Sequence, residues 1–164
     1  IDLEVSYHLE STGLVVTAVA TNLGADAPFA IGFHPYFLTG DEFELSAEFS
    51  TEVLANQRLL PIGEQEITGL HLDESSPQLA TLDTCFKGAS EVEIRRPHGS
   101  FVVRALENLP YFMLFRPQDQ IFESGSALAI EPMSAAANVF QSDIESVILG
   151  ANTAKSFSFE IKTQ

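Results

Sequence analysis

The feature that most restricts this chain is a hydrophobic period of two. Phe157, Phe159 and Ile161 alternate with Ser156, Ser158, Glu160 and Lys162, which gathers the apolar side chains on one face of an extended strand and scatters them around a helix. Leu3, Val5, Tyr7 and Leu9 repeat the pattern, Ser11-Thr12-Gly13 supplies turn chemistry, and a β-branched run resumes from Leu14 to Thr21. That pair predicts a hairpin. Further strands are expected at Phe29 to Phe33, Phe43 to Phe49, Glu91 to Arg95, Ser100 to Leu106, Tyr111 to Phe115 and Leu128 to Ile130. Gly, Pro, Asn and Asp clusters separate them, as in 22–28, 96–99 and 109–110. No amphipathic stretch is long enough to predict a helix. Many short strands with frequent turns point to an all-β antiparallel sandwich or barrel, and no linker, repeat or low-complexity tract divides the 164 residues.

Charge removes several partners. The chain has 8 Lys and Arg against 23 Asp and Glu, a net charge of −15. The five arginines and three lysines are scattered apart from Arg95-Arg96, so no patch exists to neutralise a phosphate backbone or an acidic membrane surface. Neither nucleic acid nor membrane is expected as a partner. With 45% hydrophobic residues and 13 Phe, the chain is nevertheless apolar enough to build a core. No window approaches the roughly 20 apolar residues of a membrane span, and Ile-Asp-Leu-Glu at the start lacks the regions of a signal peptide. The lone Cys85 can form no internal disulfide, which fits a reducing compartment. A soluble, cytoplasmic protein is the expectation. Ile1 opens inside a strand-like alternation, which fits either a trimmed terminus or a piece of a longer chain.

Absent motifs remove whole classes of chemistry. There is no Gly-rich nucleotide loop, no His-Glu-x-x-His, no Cys pair and no Gly-x-Ser-x-Gly, which disfavours NTPases, zincins, zinc ribbons and α/β-hydrolases. The four histidines have no ligand spacing, so only the fold could assemble a metal site from them, and none is predicted. What remains is an ionisable residue placed before a proline at the end of an apolar run, once as His34-Pro35 and once as Glu131-Pro132. The proline holds its predecessor in extended backbone with little freedom. Two rigidly held groups of this kind suit proton transfer. The same dipeptides also suit ordinary strand ends, and spacing alone leaves both readings open.

The words around these dipeptides add more. Asn22-Leu23-Gly24 followed by Pro28, then Gly32-Phe33-His34-Pro35-Tyr36-Phe37, resembles the signature of the aldose 1-epimerase (galactose mutarotase) family. So does Ala129-Ile130-Glu131-Pro132-Met133-Ser134 with Asn138-Val139-Phe140 following, although the family more often has Thr at the place of Ser134. Leu82-Asp83-Thr84-Cys85-Phe86 is similar to the family's central Asp motif, and Val147-Ile148-Leu149-Gly150 to its closing segment. The resemblance implies a galactose-mutarotase-like antiparallel β-sandwich with residues 1–164 as a single domain. Family members are longer, and their upstream half carries an Arg and a further His that bind the sugar. On that comparison the chain corresponds to the carboxyl-terminal part of the fold, incomplete at its N-terminus, with exposed sheet edges that invite self-association.

The resemblance also implies a reaction, the interconversion of α and β anomers of a free hexose through the open-chain aldehyde, without cofactor or metal. Glu131 is then the general base at the C1 hydroxyl and His34 the general acid at the ring oxygen. Their roles need both groups charged at the same pH, which mutual attraction would favour. Asp83 is implied as an acceptor of sugar hydroxyls; taken by itself, it also reads as a turn Asp. Without the upstream Arg and His, the chain alone is expected to bind sugar poorly and to show weak activity or none.

Other residues carry plainer expectations. Tyr36, Phe37 and Phe115 suit either a sugar platform or the core, and His71 and His98 belong to polar, turn-like segments. Cys85 reads as a buried small hydrophobe, and the acidic runs 41–44 and 64–66 as solvated faces. Three alternatives compete with the mutarotase. A hexose-6-phosphate epimerase would need basic residues for its dianionic substrate, which a net charge of −15 disfavours. A glycoside hydrolase needs two carboxyls across a longer cleft. A non-catalytic carbohydrate-binding module would have no need for His34 and Glu131 to converge, and a separation beyond about 10 Å would defeat proton transfer through one sugar.

Overall fold

The computed structural model describes residues 1–40, 42–117 and 127–164. In chain order the strands are β1 (Asp2–Glu10), β2 (Gly13–Thr21), β3 (Ala27–Pro28), β4 (Tyr36–Leu38), β5 (Glu44–Ala47), β6 (Thr51–Ala55), β7 (Pro61–Glu66), β8 (Leu70–Asp73), β9 (Asp83–Lys87), β10 (Glu91–Arg95), β11 (Phe101–Glu107), β12 (Tyr111–Phe115), β13 (Ala127–Met133), β14 (Ile148–Leu149) and β15 (Ala154–Thr163). Among the described residues they form a seven-stranded sheet in the order β1-β2-β15-β11-β10-β5-β8, a six-stranded sheet in the order β4-β13-β12-β9-β6-β7, and the small pair β14-β3. Every named pairing is antiparallel. Among the described residues helix is limited to one short turn, α1 (Val139–Ser142), and two 3-10 turns at Pro77–Thr81 and Ile144–Val147. None is long and apolar enough to cross a membrane.

The period of two decides how the sheets meet. Val16, Ala18 and Ala20 of β2 lie opposite Phe159, Phe157 and Lys155 of β15, and Val16, Phe157 and Phe159 enter one buried cluster with Leu45, Leu72, Val92, Ile94 and Val103. The six-stranded sheet contributes Phe86, Phe112, Leu114, Leu128 and Ile130 to the same cluster. Phe49 lies between the layers, stacked on Phe86 with centroids 4.9 Å apart and tilted against Phe112 at 5.9 Å. Each fully buried Leu, Ile, Val or Phe of this kind stabilises the fold by about 1.5–3 kcal/mol relative to an exposed one. Of the antiparallel sandwich or barrel that the alternation allowed, the sandwich is the observed architecture.

The β1–β2 hairpin forms in the expected place, from Asp2 opposite Thr21 to Glu10 opposite Gly13. It also shows the edge exposure anticipated from sequence. All nine residues of β1 are exposed, and Leu3, Val5, Tyr7 and Leu9 overhang the core with 39–80% of their surface open.

Three expectations need correction. Phe29 to Phe33 is not a sheet strand; the ladder stops at Pro28, and the segment runs as a strap between the sheets. Its alternation is real but has another cause. Phe29 packs on Phe157 at 5.7 Å and Phe33 on Phe159 at 4.8 Å, so its aromatic rings tack the strap to β15, while its backbone bonds to Val147 and to the end of β13. Phe43 to Phe49 contracts to Glu44–Ala47, with both phenylalanines buried just outside the ladder. His71 lies on β8 rather than in a turn, though it is exposed, as is His98. The acidic run 64–66 is the exposed end of the edge strand β7, a placement that discourages pairing with another edge. Of the run 41–44, Asp41 lies outside the described residues, Glu42 and Glu44 are exposed and Phe43 is buried.

Candidate active site

Strand β13 puts Leu128, Ile130 and Pro132 into the core, so strand alternation turns Glu131 to the opposite, outer face of the six-stranded sheet. The strap beside it is held by a short irregular ladder. The Phe33 amide donates to the Pro132 carbonyl at 3.0 Å and the Ile130 amide to the Pro35 carbonyl at 3.3 Å. These bonds bracket His34 on one side and Glu131 on the other. Ser134 closes the ladder: the Ile31 amide donates to its Oγ at 2.9 Å, and its own amide donates to the Ile31 carbonyl at 2.9 Å. A hydroxyl is what this position supplies, as an acceptor for the Ile31 amide. Gly32 bridges Met133, and a Cβ there would meet Met133 Cγ at 3.2 Å, so the strap's close approach favours glycine.

The outcome is convergence. His34 Nε2 lies 3.2 Å from Glu131 Oε1, with the imidazole side chain 51% exposed and the carboxylate side chain 12% exposed. Groups 97 residues apart in the chain thus meet in one place, well within the separation that proton transfer through a single sugar allows.

Asp83 joins them from β9. It lies opposite Phe115 on β12, Phe115 lies opposite Ala129 on β13, and Ala129 opposite Tyr36 on β4. Directly opposed residues share a face, so Asp83, Phe115, Ala129 and Tyr36 form one row across the sheet. The adjacent row on that face is Cys85, Met113 and Glu131. Asp83 is therefore a strand residue on the site's own face, not the turn Asp that its short motif allowed. Its carboxylate also acts on Glu131. Burial first, and then the Asp83 charge, push the Glu131 carboxyl up from 4.5 to about 7. This runs against the expectation that the surroundings would hold Glu131 ionised; a protonated His34 at 3.2 Å pulls in the other direction. Cys85, in the row beside Glu131, is buried and its thiol is pushed up to about 12, by burial first and then by Glu64. It is a packing residue, as expected from sequence.

The aromatic residues divide. Phe37 stacks on Phe101 at 4.6 Å between the two sheets, whereas Tyr36 and Phe115 flank the His34 ring on the open face. The Asn22 motif is structural. Asn22 is buried; its Nδ2 donates to the carbonyls of Ala25, Leu149 and Gly150 at 2.8, 2.8 and 3.1 Å, and its Oδ1 accepts from the Gly24 amide at 3.0 Å. It ties the end of β2 to the segment before β15. The role of Ser134 was not drawn from sequence, although its hydroxyl beside Glu131-Pro132-Met133 was the available signal.

Comparison with known proteins agrees with this architecture. The family model described as aldose 1-epimerase matches residues 1–162. A crystal structure of a putative aldose 1-epimerase from Escherichia coli K12 superposes with a TM-score of 0.77 at 21% identity, covering 99% of this chain and 60% of that one. The aldose epimerase homologue from C. elegans gives 0.78 at 16%, covering 99% and 59%. A galactose mutarotase-like protein from Clostridium acetobutylicum gives 0.77 at 19%, covering 98% and 55%. The fold is thus the galactose mutarotase-like β-sandwich, and the chain spans somewhat more than half the length of these neighbours. No curated protein matches it by sequence.

Proposed function

Because the chain belongs to the aldose 1-epimerase family, we propose that its outer-face site interconverts the anomers of a free hexose in the cytoplasm, with Glu131 as general base and His34 as general acid. The observation that carries this is the 3.2 Å approach of His34 Nε2 to Glu131 Oε1. The C1 hydroxyl and the ring oxygen of a pyranose are bonded to the same carbon, so a base and an acid that serve them must be close neighbours. Glu131 takes the proton of the C1 hydroxyl while His34 gives one to the ring oxygen; the C1 to ring-oxygen bond breaks and the aldehyde forms. Rotation about C1 to C2 presents the other face of the carbonyl. The ring oxygen then attacks C1 and returns its proton to His34, and Glu131 returns its own to the new C1 hydroxyl, leaving both groups as they began.

A carboxyl near 7 supports Glu131 as the base, since proton transfer is most efficient when the catalytic pKa lies close to the working pH. Asp83 accepts sugar hydroxyls and fixes the ring. On this reading residues 1–164 act as one unit that carries the acid, the base and one binding carboxylate. The additional Arg and His of longer family members would complete sugar binding, so activity of the chain alone is weak.

Magnetisation-exchange NMR between the α and β anomeric protons of glucose or galactose tests the proposal. Exchange above the buffer rate is expected, falling to the buffer rate in both Glu131→Gln and His34→Asn. Exchange unaltered by either substitution overturns it. Preference for glucose 6-phosphate over glucose would move the reading to the phosphorylated branch.

A further inference from the structure

We propose that Tyr36, Ala129 and Phe115 form a slot whose function is to position the His34 ring against Glu131. The inference rests on the acid role given to His34 above and adds the residues that aim it. His34 has a problem common to any half-exposed side chain on an irregular backbone: two free torsions, and little packing to select one setting. Pro35 restrains only its backbone.

The sheet supplies the rest. Tyr36, Ala129 and Phe115 are successive members of one cross-strand row, on β4, β13 and β12. The two aromatic residues stand one strand apart from each other, with Ala129 between them. The His34 ring contacts both, stacked on Tyr36 with centroids 4.8 Å apart and planes at 27°, and edge-on to Phe115 at 6.5 Å and 85°. Ala129, between the two flanking aromatics, belongs to the same outer face and is 0% exposed. Its single methyl is the floor of the slot, and a larger side chain there would occupy the space taken by the imidazole. Stacked and edge-on contacts are the favourable arrangements for such rings, so the slot selects an orientation as well as a place. In that orientation Nε2 lies 3.2 Å from the Glu131 carboxylate. Tyr36, Ala129 and Phe115 are positioning residues, which act on the reaction through His34.

Two substitutions and two readouts test this. Tyr36→Leu is expected to lower the kcat of anomer exchange roughly 10-fold with KM changed by less than about twofold, since misaiming a catalytic group weakens the chemical step more than ground-state binding. Tyr36→Phe keeps the stacking face and is expected to retain most of the rate. In the proton NMR spectrum of the folded chain, the His34 Cε1 proton is expected to move downfield in Tyr36→Leu as the ring current is lost, and to stay near its place in Tyr36→Phe. Ala129→Val is expected to displace the ring and shift the same resonance. An unmoved resonance in both Tyr36→Leu and Ala129→Val overturns the slot. A Tyr36→Phe variant as impaired as Tyr36→Leu also overturns it, because the hydroxyl rather than the ring would then matter. If His34→Asn itself leaves exchange unchanged, the acid role fails, and the resonance shifts still decide whether the slot holds the ring.

Discussion

The outer faces of the two sheets each carry a basic group beside two carboxylates, and the two triads are built in opposite ways. On the seven-stranded sheet Arg104 of β11 reaches Glu91 of β10 through Nε at 2.6 Å and Glu160 of β15 through Nη1 at 2.7 Å. Its guanidinium satisfies both carboxylates by hydrogen bonds in a partly exposed setting, and they in turn raise its own pKa. On the six-stranded sheet Glu131 meets one base, His34, and one acid, Asp83. It is largely buried, and its carboxyl is pushed up rather than down. A cluster whose two carboxylates each accept a charged hydrogen bond from one guanidinium has little reason to exchange protons with a ligand. An under-compensated, desolvated carboxyl beside a half-exposed imidazole does, and perturbed groups of that kind concentrate at functional sites.

The largest expected contrast is in activity. Glu131→Gln should remove on the order of 10² or more of the enzymatic rate, down to the buffer rate for a chain of low activity. Glu91→Gln in the Arg104 cluster should leave it unchanged. Equal losses in the two, measured by anomer exchange, would dissolve the distinction.

A second contrast concerns stability against pH. The Glu131 carboxyl is raised from 4.5 to about 7 on folding, so the stability it confers is fully present below 4.5 and is lost as pH rises through 7. The wild-type chain should therefore lose about 2 kcal/mol between pH 5 and pH 8 relative to Glu131→Gln, as read from urea unfolding of both at each pH. A difference between the two chains that stays the same from pH 5 to pH 8 would show that His34 compensates the ionised Glu131 in the folded state.

Asp83 sharpens the comparison from the other side. Asp83→Asn removes the like charge that helps to raise Glu131, so the acid limb of the pH–rate profile should move to lower pH. The lost charge-assisted acceptor should raise KM by roughly 10-fold. A profile that does not move would leave burial as the sole cause of the raised carboxyl.

The smallest effect belongs to the compensated cluster. Arg104→Met should cost at most about 1 kcal/mol, and less at high salt, because exposed ion pairs contribute little. Thermal unfolding at two ionic strengths measures it.

Much of this molecule was legible as sequence. The alternation of Phe157, Phe159 and Ile161 announced a strand with one buried face, and Leu3 to Thr21 announced its hairpin. The edge strand β7 was missed because Pro61-Ile62-Gly63-Glu64-Gln65-Glu66 alternates nothing apolar; it is a strand only because β6 offers it a partner. The strap at 29–33 alternates as a strand does because aromatic packing onto a neighbouring sheet produces the same pattern as a ladder. At the site, His34-Pro35 and Glu131-Pro132 marked two restrained groups and the family words marked Asp83, but nothing in the sequence marked Ala129 as the residue between Tyr36 and Phe115 in one cross-strand row.

The sequence by itself therefore determined the extended period, the hairpin, the scarcity of basic residues and the two ionisable groups held before a proline. Tertiary structure decided that residues 34 and 131 meet, that Tyr36 and Phe115 stand on either side of the imidazole, and that the Glu131 carboxyl is raised to about 7. The reason is one of range. Periodicity records which side of a local element faces the core, whereas proximity and proton affinity depend on which distant strands become neighbours and how much water they exclude.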